Sequence, residues 1–505
     1  MSDAFARLPA LLAAHLQLSL AALALALVIG VPLGLVAVRR PLFARLILGF
    51  ASFVQTIPGL ALLALFYPAL LALSALVGGG IPAFGFLPAL LALSLYALLP
   101  IIRNLVTGLA GIDPAVIEAA DGIGMTPWQR LRLVEAPLAL PVAMAGLRTA
   151  TVWTIGAATL ATTIGQPCLG DLIFAGLQTQ DWTLVLVGCA AAAILALVAD
   201  QALGLLEGAV TVRSRWRAWA GAAVVAAGLA FAIAPLAGGG RPVVTIGAKN
   251  FSEQFILARL IGQRLEAAGY AVRYREGLGS AVIFRALRAG DIDVYIDYAG
   301  TLWTNEMKRQ DVPRREEMQA RIAAWSTREA GVRLLGPLGF ENSYAFAVKR
   351  GNARVAGLGT LDDLAVRSPS LRLGTDIEFL DRPEWRMVRA AYPMHFAEAR
   401  PFQPTMMYAA LASGRVDVIT AFSSDGRIAA DGLLTLADRE GAIPSYDALL
   451  LTTAARASDP RFVAALQPLV GHVGVDLMRR ANYRVDGEGD SPAAAAQWLS
   501  ERIGG

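Results

Sequence analysis

Cysteine and histidine are scarce in this chain. Its 505 residues include two cysteines and three histidines, the latter being His15, His395 and His472. Two cysteines cannot form a disulfide framework, and three dispersed histidines without a cysteine cluster offer no zinc site. They also provide no pairing of a nucleophile with a neighbouring base. We therefore expect no metal, no cofactor and no catalytic residues, and do not expect the chain to be an enzyme.

A phosphate-binding loop of the form Gly-x-x-x-x-Gly-Lys-Ser/Thr is also absent from the sequence. Charge is low, with 17% charged against 56% hydrophobic residues, and the mean hydropathy is +0.53. Such a chain is too apolar for a soluble enzyme and too long for one domain. The net charge of +4 does not indicate nucleic-acid binding, because the arginines cluster at the ends of apolar runs.

Long apolar runs fill the first half of the sequence. Segments of about 20 residues match the thickness of a bilayer core. We predict six membrane spans, at about 14–38, 43–75, 85–110, 138–162, 182–210 and 217–237. The first is too long and unbroken for a cleaved signal peptide, so it is expected to be retained.

Arginines mark alternate connections between these spans. They are Arg39, Arg40 and Arg45, then Arg103, Arg130 and Arg132, then Arg213, Arg215 and Arg217. Loops 76–88 and 163–182 contain no Lys or Arg. The positive-inside rule then places the N-terminus outside, residues 111–137 inside, and everything after about residue 238 outside. Arg148, within the fourth span, either extends its side chain to the cytoplasmic surface or lines a transport pathway, and the first alternative is favoured.

A polar stretch, residues 111–137, interrupts the apolar half. It predicts a short helix over 115–122, with Asp113 as N-cap and Pro114 at the first helical position. An ordinary surface helix between two spans would show the same local pattern. However, Glu118-Ala119-Ala120 followed by Gly124 and later Pro137 resembles the EAA loop of ABC importer permeases. The resemblance implies a cytoplasmic helix that docks on a separate ATPase subunit.

The second half of the sequence has the pattern of a soluble α/β domain. A linker at 238–242 is followed by a strand at 243–247 and an amphipathic helix at 251–268, which predicts a largely parallel sheet. Residues 286–298 recur as 410–422, each with a C-cap glycine, Gly290 or Gly414, before a strand. Two similar lobes would bring Tyr298 and Phe422 to one cleft at the strand ends. Alternatively, both rings are core aromatics.

Six ordered segments of this half are similar to the substrate-binding proteins for glycine betaine, choline and carnitine. They are 247–254, 298–301, 341–344, 376–382, 423–426 and 444–446. The resemblance implies a two-lobed fold that closes on a quaternary ammonium. The implied aromatic box is Tyr298, Tyr344, Phe422 and Tyr446, with Asn342 beside it, and the implied carboxylate-binding residues are Lys249, Thr301 and Arg382. Phe422 replaces a usual Tyr, and Asp297 and Ala299 replace a commoner Glu and Thr.

The chemistry of these residues agrees with that implication. A trimethylammonium group has no N–H, so it is recognised by shape and by the negative faces of aromatic rings, each worth roughly 0.5–2 kcal/mol. A carboxylate instead requires charge-assisted hydrogen bonds, which Arg and Lys provide.

Together these patterns predict an all-α six-span transmembrane permease domain followed by an α/β two-lobed periplasmic-binding-protein-like domain (type II, OpuAC-like). The predicted boundaries are 1–237 for the permease with its coupling loop at 111–137, 238–242 for the linker, and 243–505 for the receptor. Lobe 1 comprises about 243–342 and 448–505, and lobe 2 about 343–447.

The resemblance implies an importer component for a betaine or choline in the inner (cytoplasmic) membrane, with an extracytoplasmic (periplasmic) receptor. Its expected partners are membrane lipid, a quaternary ammonium solute, a separate ABC ATPase and a second copy of the chain, but no nucleic acid. Two alternatives stay open, an ergothioneine importer of the same architecture and a membrane-anchored betaine chemoreceptor. The chemoreceptor is disfavoured by six spans and an EAA-like loop.

Overall fold

The computed structural model describes residues 2–78, 81–179, 181–211, 214–234, 242–309, 311–377, 379–402 and 404–503. The chain divides into two compact units. The first is Met1–Phe174 with Trp182–Gly240, and the second is Ala175–Asp181 with Arg241–Gly505. Residues 238–241 of the predicted linker, and Arg213, lie outside the described residues.

The N-terminal half is helical. Its helices are α1 (Ser2–Arg39), α2 (Pro41–Thr56), α3 (Gly59–Leu76), α4 (Phe86–Ala110), α5 (Pro114–Gly122), α6 (Pro127–Arg130), α7 (Ala136–Ala158), α8 (Gly170–Thr179), α9 (Trp182–Thr211) and α10 (Arg215–Ile233). Five continuous helical segments in the described chain are long and apolar enough to cross a membrane, and a bent pair brings the number to six. The predicted all-α domain with several candidate spans is therefore confirmed.

The bent pair corrects the prediction of one continuous span at 43–75. Helices α2 and α3 meet at 104° instead of forming one straight helix. The cause is Pro58, because a proline disfavours the helical conformation of the residue before it. Ile57 is accordingly extended, with φ −73° and ψ 126°.

Helices α4 and α7 pack closely in the first unit. A Cβ atom on Gly146 of α7 would lie 2.6 Å from the carbonyl oxygen of Pro100 on α4, so only glycine permits this approach. Small residues at helix interfaces are typical of membrane proteins.

The side chain of Arg148 connects α7 to α9. Its Nε and Nη2 donate to the two carboxylate oxygens of Asp200 at 2.9 Å, and its Nη1 donates to Glu207 at 2.9 Å. Two acidic side chains on the neighbouring helix therefore bind the Arg148 guanidinium, and the reach of Arg148 to the cytoplasmic surface stays a prediction.

The second half of the chain is an α/β unit. Its strands are β1 (Val243–Lys249), β2 (Ala271–Leu278), β3 (Val294–Tyr298), β4 (Val332–Glu341), β5 (Tyr344–Lys349), β6 (Arg372–Asp376), β7 (Glu398–Phe402), β8 (Val418–Phe422), β9 (Leu433–Thr435) and β10 (Asp447–Thr453). Its helices are α11 (Ser252–Ala267), α12 (Ser280–Ala289), α13 (Ala299–Thr301), α14 (Arg315–Arg328), α15 (Leu361–Arg367), α16 (Pro383–Ala391), α17 (Pro404–Ala412), α18 (Gly426–Ala430), α19 (Ala454–Ala457), α20 (Pro460–Leu466), α21 (Val475–Asp486) and α22 (Pro492–Ile503).

Two five-stranded sheets share one strand arrangement. Their orders are β2-β1-β3-β10-β4 and β7-β6-β8-β5-β9, so β3 and β8 are both central. The repeat extends to details, since Asp293 and Asp417, each just before its central strand, accept backbone N–H bonds from β1 and β6 respectively. The sequence repeat therefore corresponds to two similarly built sheets.

Each sheet is mixed, which corrects the expectation of a largely parallel one. Strands β10 and β5 run antiparallel to their neighbours, whereas β1–β2, β1–β3, β6–β7 and β6–β8 are parallel. The reason is the chain path. It passes from the first sheet to the second after β4 and returns before β10, so β5 and β10 do not follow the helical crossovers that parallel neighbours require.

Candidate functional site

All eight residues predicted to bind a ligand line one cleft in the α/β unit. The cleft encloses about 260 Å³. The eight residues are Lys249, Tyr298, Thr301, Asn342, Tyr344, Arg382, Phe422 and Tyr446. Residues from the ends of both central strands are therefore brought together, as expected for the carboxyl ends of strands in open α/β sheets.

Three of the four predicted box aromatics form a contiguous cluster. Tyr344 on β5 is the register partner of Phe422 on β8, which places both side chains on one face with ring centroids 4.9 Å apart. Tyr446 meets Tyr344 edge-on, at 6.0 Å and 86°. Tyr298 lines the same cleft and stacks on Phe251 at 6.2 Å. All four predicted aromatic residues thus line one cleft.

Asn342 and Tyr446 lie in the two segments where the chain passes between the sheets. The backbone N–H of Asn342 donates to the carbonyl of Tyr446 at 2.9 Å. A backbone hydrogen bond therefore joins the two segments that connect the sheets. Helix α13 packs closely against the ring of Tyr446. A Cβ atom added at Gly300 would lie only 2.3 Å from that ring. Thr301 in this helix is buried at the cleft wall.

The hydroxyl of Tyr298 is fixed by a buried carboxylate. It donates to Glu253 at 2.5 Å and accepts from Gln254 at 3.0 Å. Burial raises the pKa of Glu253, and hydrogen bonds from surrounding side chains oppose that rise. Glu253 therefore orients one ring of the cleft.

Lys249 already has an internal partner. Its ammonium lies 2.5 Å from Asp297, and both side chains are almost fully buried. The same ammonium lies 5.2 Å from the centroid of Tyr298, within cation–π range. One face of that ring is thus occupied by a cation of the protein.

Arg382 is likewise paired within the protein. It donates to Glu384 through Nε at 3.2 Å and through Nη2 at 3.0 Å, and its guanidinium lies 5.5 Å from the Tyr344 centroid. The Tyr446 hydroxyl also donates to Glu384. Burial opposes ionisation of Glu384, but the charge and hydrogen bonds of Arg382, together with the hydrogen bond from Tyr446, outweigh it and lower the pKa of the carboxyl. A ligand carboxylate would have to share Arg382 with Glu384.

Sequence reasoning missed several acidic residues of the site. Glu253, Asp425 and Asp486 line the cleft, and Glu384 lies directly behind Arg382. Burial raises the pKa of Asp425, and it raises that of Asp486 to about 6. Glu253 and Asp425 lie within two of the quoted segments, 247–254 and 423–426, but nothing in a single sequence separates them from ordinary helix-capping or surface carboxylates.

The predicted coupling segment has the expected local structure. Asp113 caps α5 by accepting from the Ala115 N–H at 2.9 Å, and Pro114 is the first helical residue. Glu118 and Ala119 are exposed, whereas Ala120 is buried. Gly124 has φ +83°, a conformation that strongly favours glycine.

An arginine fixes the turn that follows α5. Arg130 on α6 binds Asp121 and Glu135 at 2.7 Å each. Ile123 and Trp128 nearby are 74% and 68% exposed. The segment thus presents a short, well-capped helix with apolar side chains beside it.

Two protein-family models match the chain. Residues 242–501 match the substrate-binding domain of the ABC-type glycine betaine transport system. Residues 26–212 match the inner membrane component of binding-protein-dependent transport systems. The two matches correspond to the α/β and helical halves.

Curated relatives agree with both matches. The ergothioneine transport permease/ergothioneine binding protein of Helicobacter pylori (strain G27) is 29% identical over 498 residues, 95% of this chain and 87% of that protein. The glycine betaine/carnitine/choline transport system permease protein of Bacillus subtilis (strain 168) is 43% identical over 197 residues, 39% of this chain and 85% of that protein. A solved structure of a glycine betaine/carnitine/choline ABC transporter is 29% identical, covers 51% of this chain and 97% of that one, and has a TM-score of 0.46.

Proposed function

Because this chain belongs to the family of ABC-type glycine betaine importer components and joins their membrane component to their substrate-binding domain, we propose that it imports a quaternary ammonium solute such as glycine betaine, choline or carnitine. ATP would be hydrolysed by a separate subunit. The observation that carries the proposal is the cluster of Tyr344, Phe422 and Tyr446 in one cleft with Tyr298. Several aromatic faces are what a cation without N–H groups requires.

In this proposal Tyr298, Tyr344, Phe422 and Tyr446 hold the ammonium group, with Asn342 beside them. The residues proposed to bind the carboxylate of the ligand are Lys249, Thr301 and Arg382. Lys249 is already paired with Asp297, and Arg382 with Glu384. A ligand carboxylate would therefore bind to cations that already form ion pairs within the protein. The carboxylate end is therefore expected to contribute less than the ammonium end.

A second candidate is an ergothioneine importer of the same architecture. It is favoured by the Helicobacter pylori relative, which aligns with 95% of this chain and carries permease and binding protein together. Ergothioneine also bears a trimethylammonium and a carboxylate, so the same box would serve both candidates. Titration against both ligands separates them.

The proposal extends to assembly and location. Glu118, Ala119, Ala120 and Gly124 would dock on the ATPase, and two copies of the chain would supply the two membrane halves that an importer needs. The arginine distribution supports an inner-membrane protein with the receptor in the periplasm. We propose the predicted domain boundaries: the permease ends at residue 237, the linker ends at 242, and lobe 2 extends from about 343 to 447. The division of the strands between two sheets supports the boundaries of the lobes.

The test is a calorimetric titration of the full chain in lipid nanodiscs. The ligands are glycine betaine, choline, carnitine, proline betaine and ergothioneine. Tyr344→Leu removes a ring but keeps an apolar side chain, so every ligand that binds should weaken about 2- to 30-fold, since one cation–π contact is worth roughly 0.5–2 kcal/mol. Phe346→Leu, two residues along the same strand and buried outside the cleft, is the matched control. Equal effects of both substitutions would contradict the box.

A further inference from the structure

An apolar groove lies between α1, α4 and α7 in the helical unit. It encloses about 430 Å³, and its α7 wall lies within residues 136–147. The α1 and α4 walls each consist of aliphatic side chains four residues apart, which places each set on one face of its helix. These side chains are Leu27, Val31 and Leu35 on α1, and Ile101, Leu105 and Leu109 on α4.

The groove is about as deep as one leaflet of a membrane. From Leu27 to Leu35 it follows α1 for about two turns, or ~12 Å, whereas half of a bilayer core measures ~15 Å. Both α1 and α4 run towards connections that contain arginines, so Leu35 and Leu109 lie at the end of the groove nearest those arginines. A groove of this depth fits one acyl chain of a lipid.

Arg132 is the charged residue of the groove lining. It lies between α6 and α7 and is exposed. Among the described residues, its side chain has no hydrogen bond or ion pair. The two acidic residues nearest to it in sequence, Asp121 and Glu135, both bind Arg130 at 2.7 Å. The Arg132 guanidinium can therefore bind an anion from outside the chain.

Two further residues at this end suit a membrane–water interface. Arg39 is exposed and ends α1 one turn beyond Leu35, and side chains four residues apart lie on the same side of a helix. Trp128 lines the groove and is 68% exposed. Tryptophan is enriched where the bilayer meets water. The groove thus combines apolar walls with a cationic end at the height of lipid head groups.

We propose that this groove binds one anionic phospholipid, with an acyl chain between α1, α4 and α7 and the phosphate on Arg132. The planar guanidinium matches the geometry of a phosphate group. Basic pockets between membrane helices bind anionic head groups in the same way. A phosphatidylcholine has the same phosphate, but its own ammonium group offsets that charge. The site lies in the helical unit and does not depend on which solute is transported.

The test is native mass spectrometry of the full chain with phosphatidylglycerol and phosphatidylcholine of identical acyl chains. The first phosphatidylglycerol should bind at least about fivefold more tightly, the effect expected from one arginine near an anionic lipid. Arg132→Gln should remove about that factor, and Arg132→Lys should keep most of it because the charge remains. No preference in the parent chain, or an unchanged preference in the Arg132→Gln variant, would overturn the proposal.

Arg217 provides the matched control. It lies in the first turn of α10, outside the groove, with its guanidinium 5.7 Å from the ring centroid of Trp216. Arg217→Gln removes the same charge at another arginine-bearing connection and should leave the lipid preference unchanged. An equal loss in the Arg132→Gln and Arg217→Gln variants would show general attraction by basic residues and would contradict a site in the groove.

A second substitution tests the position of the acyl chain. Ala143 lines the groove, so Ala143→Phe should fill it and weaken the first binding step of both lipids. Ala145→Phe, exposed on the same helix outside the groove, should not. If Ala143→Phe instead separated a dimer into single chains and left lipid binding unchanged, the groove would be a contact between two copies and the proposal would be wrong. Arg132 is exposed, so its variants decide the proposal even if Ala143→Phe does not fold.

Discussion

The carboxylate of Glu384 lies 3.0 Å from Nη2 of Arg382, and the two side chains are 0% and 11% exposed. The arginine that the sequence suggests for a substrate carboxylate thus holds a carboxylate of the protein. The pair also positions an aromatic ring, because Tyr446 donates its hydroxyl to the same glutamate. Ion pairing and ring placement in the cleft are therefore linked.

Glu384→Gln is expected to lower the stability of the α/β unit. Removing one partner of a buried ion pair leaves the other charge uncompensated, which typically costs about 3–5 kcal/mol. Thermal unfolding of the full chain, followed by intrinsic tryptophan fluorescence, measures the change. Adding Arg382→Met should recover part of the loss.

An exposed ion pair serves as the control for the buried pair of Arg382 with Glu384. Glu398 and Arg400 form an ion pair on the surface, with side chains 40% and 60% exposed. Glu398→Gln should change stability by at most about 1 kcal/mol, because solvent screens exposed pairs. If both Glu→Gln variants had equal effects, the pair of Arg382 with Glu384 would not be the stabilising contact described here.

Substitutions in the coupling segment, residues 111–137, should abolish transport without changing ligand binding. Gly124→Val should abolish uptake, because a β-branched residue is strained at φ +83°. Glu118→Lys should do the same by reversing an exposed charge on α5. Ligand titration should be unchanged for both. Gly122→Ala is the matched control, since Gly122 has open space around its Cβ position and no positive φ. Normal uptake by the Gly124→Val variant would exclude this segment as the coupling element.

The stability of the α/β unit should depend on pH through the carboxyl group of Asp486. Burial raises its pKa to about 6, from 3.8. A carboxyl with a raised pKa in the folded state favours folding while protonated, so its contribution is complete below about pH 4 and is lost as the pH rises through 6. Asp486→Asn should therefore raise the Tm at pH 7.5 relative to the parent chain and change it little at pH 4.

The control is on the same helix. Asp476 is 93% exposed, so Asp476→Asn should raise the Tm at pH 7.5 much less than Asp486→Asn does. Parallel pH profiles for the Asp486→Asn variant and the parent chain would show that Asp486 does not titrate in this range.

The membrane helices provide a further prediction. Arg148→Gln should lower the Tm of the helical unit in detergent, since it leaves Asp200 and Glu207 on α9 without their shared cation. Adding Asp200→Asn should restore part of the loss. Arg103→Gln serves as the control, because Arg103 bonds only a serine hydroxyl among the contacts found in the described chain. No difference between the two single variants would contradict a stabilising role for Arg148.

Much of the fold could be predicted from local pattern. Apolar runs identified the helical half, and Asp113 with Pro114 identified the start of α5 because capping chemistry depends on neighbouring residues only. The repeat identified β3 and β8 as equivalent strands. The break at Pro58 was missed because apolar residues continue on both sides of it.

The partners of the charged residues could not be predicted. Arg148 lies 52 residues from Asp200 in sequence, and Lys249 lies 48 from Asp297, so only folding brings them together. The same holds for Glu253, which meets Asn482 across the fold. Sequence similarity indicated which residues line the cleft, but pairing among them depends on distances that a single sequence does not contain.

The central claim is that the cleft recognises a quaternary ammonium by its charge, and one comparison tests it directly. Choline and 3,3-dimethylbutan-1-ol have nearly the same shape and the same hydroxyl, but only choline is charged. With two rings contributing roughly 0.5–2 kcal/mol each, calorimetry of the full chain in nanodiscs should show choline binding about 5- to 1,000-fold more tightly. Equal affinity for the two compounds, or binding of the neutral alcohol alone, would contradict the account.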